Sequence, residues 1–229
     1  MGRTADPYVD TDVIDARAPR TNQAVIGSLA LVALLSGTEW LVAVLAAQLA
    51  IGLTFGRRFC LPCLAYFELI QPRFGEGPIE DSRPPRFANI IGVVFLGGAT
   101  LAFLLEASTV GWVLALVVAV LALLAAATGL CMGCEAYKLS ARLRGIAARH
   151  VARIEPADIP LDGAGVVQFT HPLCSECREW ERRLESEGRP HAEIDVSRRP
   201  ELARKYGVAV VPTVVAVAGD GTVLERLAP

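Results

Sequence analysis

Hydrophobic and polar positions divide the chain sharply. Ala24–Phe55 is almost entirely apolar, broken only at Ser36-Gly37-Thr38-Glu39-Trp40. At 1.5 Å per residue about 32 residues overshoot a hydrocarbon layer of ~30 Å, so the break predicts a tight turn between two short helices. Phe87–Glu106 and Val110–Gly129 are each about a bilayer long and are joined by Ala107-Ser108-Thr109. The pattern predicts four transmembrane helices in two hairpins. A buried soluble core would need more polar outer surface than these segments supply. Beyond Arg142 the composition is that of an ordinary soluble domain.

Two hairpins return the chain twice to the same side, and both returns carry the same motif. Cys60-Leu-Pro-Cys63-Leu-Ala-Tyr66 follows the first and Cys131-Met-Gly-Cys134-Glu-Ala-Tyr137 the second, so C-x-x-C-x-A-Y occurs twice. A duplicated hairpin unit is parallel and places both motifs under the bundle. A third pair, Cys174 and Cys177, lies in the soluble part and completes the six cysteines.

Charge adds orientation and removes one class of function. Arg3, Arg17 and Arg20 precede the first helix, Arg57, Arg58, Arg73, Arg83 and Arg86 fill the middle loop, and Lys138, Arg142, Arg144 and Arg149 follow the fourth helix. Neither hairpin loop holds a Lys or Arg. The positive-inside rule then puts both termini, the middle loop and all six cysteines in the cytoplasm of a multi-pass inner or plasma membrane protein, with Glu39 and Glu106 outside. A net charge of −2 and the lack of a basic stripe with interleaved aromatics exclude a nucleic-acid partner.

The expected domains are a solvated tail over 1–23, a four-helix membrane domain over 24–137, a basic amphipathic linker helix over 138–162 and an α/β domain over 163–229. The tail has no apolar core and no cleavage site, so it is not a signal peptide. The Pro- and Gly-rich half of the middle loop, GEGPIEDSRPP, is expected to be exposed.

From Gly165 strands and helices alternate as β-α-β-α-β-β. VVQFTH runs into Cys174-Ser-Glu-Cys177 at a helix start, HAEIDV forms a second strand, and YGVAVVPT leads into a final hairpin. These landmarks resemble the thioredoxin and glutaredoxin superfamily over about Gly163–Pro229. The resemblance implies that Cys174 is the attacking thiol, Cys177 the resolving one, and Pro212 a cis-proline beside the disulfide. A helix N-terminus independently favours a thiolate at Cys174. His171-Pro-Leu-Cys-Ser-Glu-Cys replaces the family's aromatic-Cys-Gly-Pro-Cys; Glu176 opposes the thiolate and a protonated His171 would favour it. The apolar part resembles an uncharacterised family of bacterial membrane proteins, through hydropathy and the RF-x-N pattern at Arg86–Asn89.

Three chemistries fit the membrane cysteines. In a redox relay, Cys60/Cys63 and Cys131/Cys134 exchange disulfides with Cys174/Cys177, intramolecularly, for an unidentified thiol or disulfide substrate. In a metal site, the same four cysteines hold zinc, another soft ion or an iron–sulfur centre. In a transporter, they are transient ligands for a soft metal or sulfur compound and the soluble domain is reductant or carrier. Tyr66 and Tyr137 are read as aromatic-belt residues rather than hydrogen-bond donors, Glu68 and Glu135 as solvated charges, and Gln48 as bonding within the bundle.

Overall fold

The computed structural model describes residues 5–144, 153–159, 161 and 163–228. They fall into two compact units: a helical unit made of Asp6–Gly77 with Pro84–Glu135, and an α/β unit in which Pro78–Arg83 joins Ala136–Pro229.

The helical unit opens with β1 (Val13–Asp15) and α1 (Arg17–Ser36). Gly37 ends α1 in the left-handed region at φ 67°, where a residue with a Cβ is strained, and Thr38 N–H reaches back to Ala33 O at 2.9 Å. The turn falls within the break seen in the sequence. α2 (Glu39–Phe55) follows, then α3 (Leu61–Ala65), a π turn over Tyr66–Ile70, and α4 (Gln71–Phe74). After β2 (Ile79–Asp81), which belongs to the α/β unit, come α5 (Arg83–Leu104), α6 (Ser108–Thr128) and α7 (Met132–Arg144).

Among the described residues two helices, α5 and α6, are long and apolar enough to cross a membrane. The expected four are reduced to two on this test. α2 is apolar but has only 17 residues, and α1 spends its first seven on Arg17-Ala-Pro-Arg-Thr-Asn-Gln23. The unit buries small and large apolar residues together: Ala30, Ala33, Ala99, Ala115 and Ala119 are at most 1% exposed, and Val42, Leu45, Leu49 and Leu96 are buried with them. What it shows is large: Val32, Val94, Leu101 and Val120 are each more than half exposed.

Among its described residues the tail is solvated only in part. Val13 through Ala16 are buried, and the Arg57 guanidinium donates to four carbonyls of the tail: Pro7 (3.0 Å), Asp10 (3.3 Å), Thr11 (2.9 Å) and Val13 (2.6 Å). One arginine thus serves four backbone acceptors. Asp15 is buried beside it, accepting from Arg17 N–H (2.9 Å), Tyr66 O–H (2.8 Å) and Gly77 N–H (2.7 Å).

The α/β unit is built on β3 (Gly165–Thr170), α8 (Ser175–Ser186), β4 (His191–Asp195), α9 (Pro200–Lys205), β5 (Thr213–Val217) and β6 (Val223–Ala228). The sheet order is β4-β3-β5-β6, with β3 parallel to β4 and antiparallel to β5. Val167, Phe169, Ile194 and Val215 form its core with Leu202 and Tyr206. The expected linker helix instead starts at Met132, inside the second C-x-x-C, and its continuation through Ile146 and Arg149 lies outside the described residues.

Close approach of α1 and α6 generates a test. A Cβ added at Gly27 would lie 2.9 Å from Leu123 Cγ and 3.0 Å from its backbone nitrogen. The Gly27→Val variant should therefore lose about 1–3 kcal/mol, seen as a lower thermal midpoint in detergent; an unchanged midpoint would show that the two helices do not pack this closely.

Candidate functional site

Each C-x-x-C pair sits at the start of a helix, its first cysteine immediately preceding the helical residues. Cys60 precedes α3, Cys131 precedes α7 and Cys174 precedes α8. The first helical bond in each case runs to that cysteine's carbonyl, from Leu64 N (2.8 Å), Glu135 N (2.9 Å) and Arg178 N (3.4 Å). The motif thus puts one sulfur at the helix end, where amides are unpaired, and the other one turn in.

Cys60–Cys63 and Cys174–Cys177 are disulfides, whereas Cys131 and Cys134 stand as two thiols. Cys131 Sγ accepts from Cys134 N–H at 3.3 Å and from the Gln23 side-chain amide at 3.4 Å. The Cys134 thiol, the Cys134 amide and Gln23 together outweigh burial, and the Cys131 pKa falls to about 6. Cys174 Sγ accepts from Cys177 N–H at 3.2 Å in the same way.

Consecutive residues of α1 touch both repeats. Asn22 Oδ1 lies 3.7 Å from the Cys60 sulfur, and its amide donates to Asn89 Oδ1 at 3.4 Å, while Gln23 reaches Cys131. Asn22 is buried, and all three polar residues line a cavity of about 100 Å³ with Cys131, Ile26, Leu49 and Phe95. None of these polar side chains was picked out by hydropathy, because Asn22 and Gln23 were assigned to the tail. Two adjacent amide side chains just before an apolar run were the available signal.

Among the described residues no three or more His, Cys, Asp or Glu side chains stand close enough to share a metal ion.

The tyrosines are corrected as well. Tyr66 is 1% exposed and donates to Asp15, and burial followed by that carboxylate pushes its pKa up. Tyr137 O–H donates to Ala209 O at 2.9 Å. Both hydroxyls hold structure rather than facing a membrane interface. Glu68 accepts from Tyr8 O–H at 2.9 Å, and Gln48 donates to Phe59 O at 2.9 Å, bracing the turn before Cys60 instead of bonding to another helix.

In the α/β unit Cys174 and Cys177 are fully buried, and the Val211–Pro212 bond is cis. His171 Nδ1 accepts from Leu173 N–H at 3.2 Å, and its carbonyl accepts from Cys174 N–H at 2.9 Å, so the residue shapes the loop into α8. The Glu176 carboxyl is pushed up by burial and by Glu80, against Lys138. Gln168, on the central strand, is 0% exposed and donates to Cys177 O at 2.7 Å, while its own Oε1 has no partner among the described residues. A glutamine inside VVQFTH was the sequence signal for it, and it ties the start of α8 to the sheet.

A helical part and a small α/β part, each with Cys-x-x-Cys pairs at helix starts, define the class. Residues 14–142 match the family described as a domain of unknown function, DUF4395, and the chain belongs to it. No curated protein and no solved structure matches the chain.

The depressed Cys131 pKa predicts its alkylation profile. The thiolate forms as pH rises through about 6, so the labelling rate in reduced protein should climb between about pH 5 and 7 and then level off. Gln23→Leu removes a donor to the thiolate and should move the midpoint up; a midpoint near the ordinary thiol value in the unaltered protein would contradict this environment.

Proposed function

We propose that the protein is a membrane-bound thiol–disulfide oxidoreductase in which a thioredoxin-like domain, residues 163–229, exchanges electrons with the two C-x-x-C pairs of the helical unit. The observation that carries this reading is the repeated local geometry. Three dithiol motifs start three helices, one of them holds a thiol with a pKa of about 6, and two are disulfides. A thiolate and a disulfide in one chain are the two reactants of exchange.

The step balances within the protein. Cys131 thiolate attacks Cys174 sulfur, forming a Cys131–Cys174 mixed disulfide and releasing Cys177 as thiolate. Cys134, losing its proton, then attacks Cys131 sulfur and releases Cys174 as thiolate. Two electrons pass from the Cys131/Cys134 pair to the Cys174/Cys177 pair, and the reverse sequence returns them. Cys60/Cys63 exchanges by the same chemistry. Cys177 is the resolving thiol of the α/β unit, and cis-Pro212 borders the site. Tethering on one chain gives such partners an effective concentration of millimolar order.

Four helices, α1, α2, α5 and α6, carry the chain through the bilayer in this reading. Support comes from the outer surface of these helices, where large aliphatic side chains such as Val32, Val94, Leu101 and Val120 are exposed, which suits hydrocarbon and not water. The arginine distribution favours a cytoplasmic location for both termini, the loop 57–86 and the α/β unit.

A resolving-cysteine variant tests the proposal. In Cys177→Ser, Cys174 has no local partner and should accumulate a mixed disulfide with a cysteine of the helical unit under mild oxidation, identified by peptide mass spectrometry. Absence of any such adduct, with Cys174 alkylated or glutathionylated instead, would count decisively against the relay.

A further inference from the structure

The middle loop sends one short piece of chain into the α/β unit. β2 alternates in burial, with Ile79 and Asp81 buried and Glu80 exposed between them. Ile79 N–H donates to Ser175 Oγ at 2.9 Å, and Ser175 is the residue after Cys174. Asp81 Oδ2 accepts from Val211 N–H at 3.1 Å, and Val211 is the residue before cis-Pro212. The other oxygen, Oδ1, accepts from Arg83 N–H at 2.8 Å and lies 3.8 Å from the Arg83 guanidinium, which also reaches Val208 O at 3.4 Å.

These bonds bracket the candidate reactive sulfur. One anchors the segment on the helix start that holds Cys174, and the other on Val211, which shares a buried cluster with Cys174. Cys174 is 0% exposed with the segment in place. An attacking thiol needs an open line to an incoming sulfur. A buried Asp serving the Val211 amide is held firmly, because an unserved amide and an unserved carboxylate would both be buried.

We propose that Ile79–Asp81 is a resident strand that masks Cys174, and that a partner reaches the thiol only by displacing it. The partner this surface fits is an extended chain segment presenting an acceptor, preferably a carboxylate, to Val211 N–H and a backbone N–H to Ser175. Glu80 and Glu176 disfavour a second acidic group beside the helix start, so the partner's acidic residue belongs at the Val211 end. The inference rests on reading Cys174 as the reactive thiol, but its test reads access and not electron transfer.

The experiment measures maleimide labelling of Cys174 in the full chain after reduction, site by site by mass spectrometry. Asp81→Ala should raise the rate by roughly tenfold or more, the shift expected of an opening equilibrium that loses a charge-assisted hydrogen bond. Asp81→Asn keeps one acceptor oxygen for Val211 N–H but loses the charge and the second acceptor, so its rise should be clearly smaller than that of Asp81→Ala. A synthetic Pro-Ile-Glu-Asp-Ser-Arg peptide, added to Asp81→Ala, should slow labelling again, and the same peptide with Ala for Asp should not. Equal rates in the parent and Asp81→Ala, equal rises in Asp81→Ala and Asp81→Asn, or indifference to the peptide would each overturn the proposal. If Asp81→Ala does not fold, hydrogen exchange at Val211 in the parent decides: protection supports the strand and rapid exchange overturns it. A trapped Cys177→Ser adduct is independent of all these outcomes.

Discussion

A helix start leaves its first amide groups without partners inside the helix, and the spacing C-x-x-C puts one sulfur at that end and a second on the same face about one turn on. In this chain the arrangement occurs at α3, α7 and α8. At Cys131 and at Cys174 the sulfur accepts the amide of the second cysteine, at 3.3 and 3.2 Å. An unpaired amide aimed at sulfur stabilises negative charge there, and it also fixes where the partner sulfur lies. Acidity and geometry of the thiol pair thus follow from one backbone constraint. The rest of each unit serves to hold these helix starts: Gln48 braces the turn into Cys60, Gln23 adds a donor at Cys131, and Gln168 pins the first turn of α8.

The two units solve burial in opposite ways. The α/β unit follows water-soluble rules, with Val, Ile and Phe from its central strands inside. In the helical unit alanines share the inside with Val42, Leu45, Leu49 and Leu96, Gly27 allows α1 and α6 to approach, and many further bulky aliphatics face out. Small residues at helix contacts gain from dispersion at short range, which operates in hydrocarbon where water expulsion does not. The polar exceptions mark the ends: Asn22, Gln23 and Asn89 sit where α1 and α5 begin, beside the cysteines.

Much of this was legible because it rests on periodicity and spacing. The apolar runs, the hairpin turn at Gly37 and the strand–helix alternation after Gly165 are local signals, and each appears as an element. Contacts made by long-range polar pairing were not legible. The tail looked solvated because nothing in its own residues shows that Arg57, more than forty positions away, binds its carbonyls. GEGPIEDSRPP looked like an exposed loop because Pro and Gly dominate it, yet Ile79 and Asp81 find partners in Ser175 and Val211. Tyr66 and Tyr137 read as interface aromatics for the same reason, since their acceptors are Asp15 and Ala209.

The central claim is that three dithiol pairs on one chain share electrons. Its most direct measurement starts from fully reduced protein in a bilayer or detergent, adds one equivalent of a small disulfide oxidant, and quenches at intervals with an alkylating agent before digestion. The account predicts that the single disulfide redistributes among Cys60/Cys63, Cys131/Cys134 and Cys174/Cys177 at a rate that does not change on dilution. A disulfide that stays where it first forms, or that moves only in proportion to protein concentration, would contradict it.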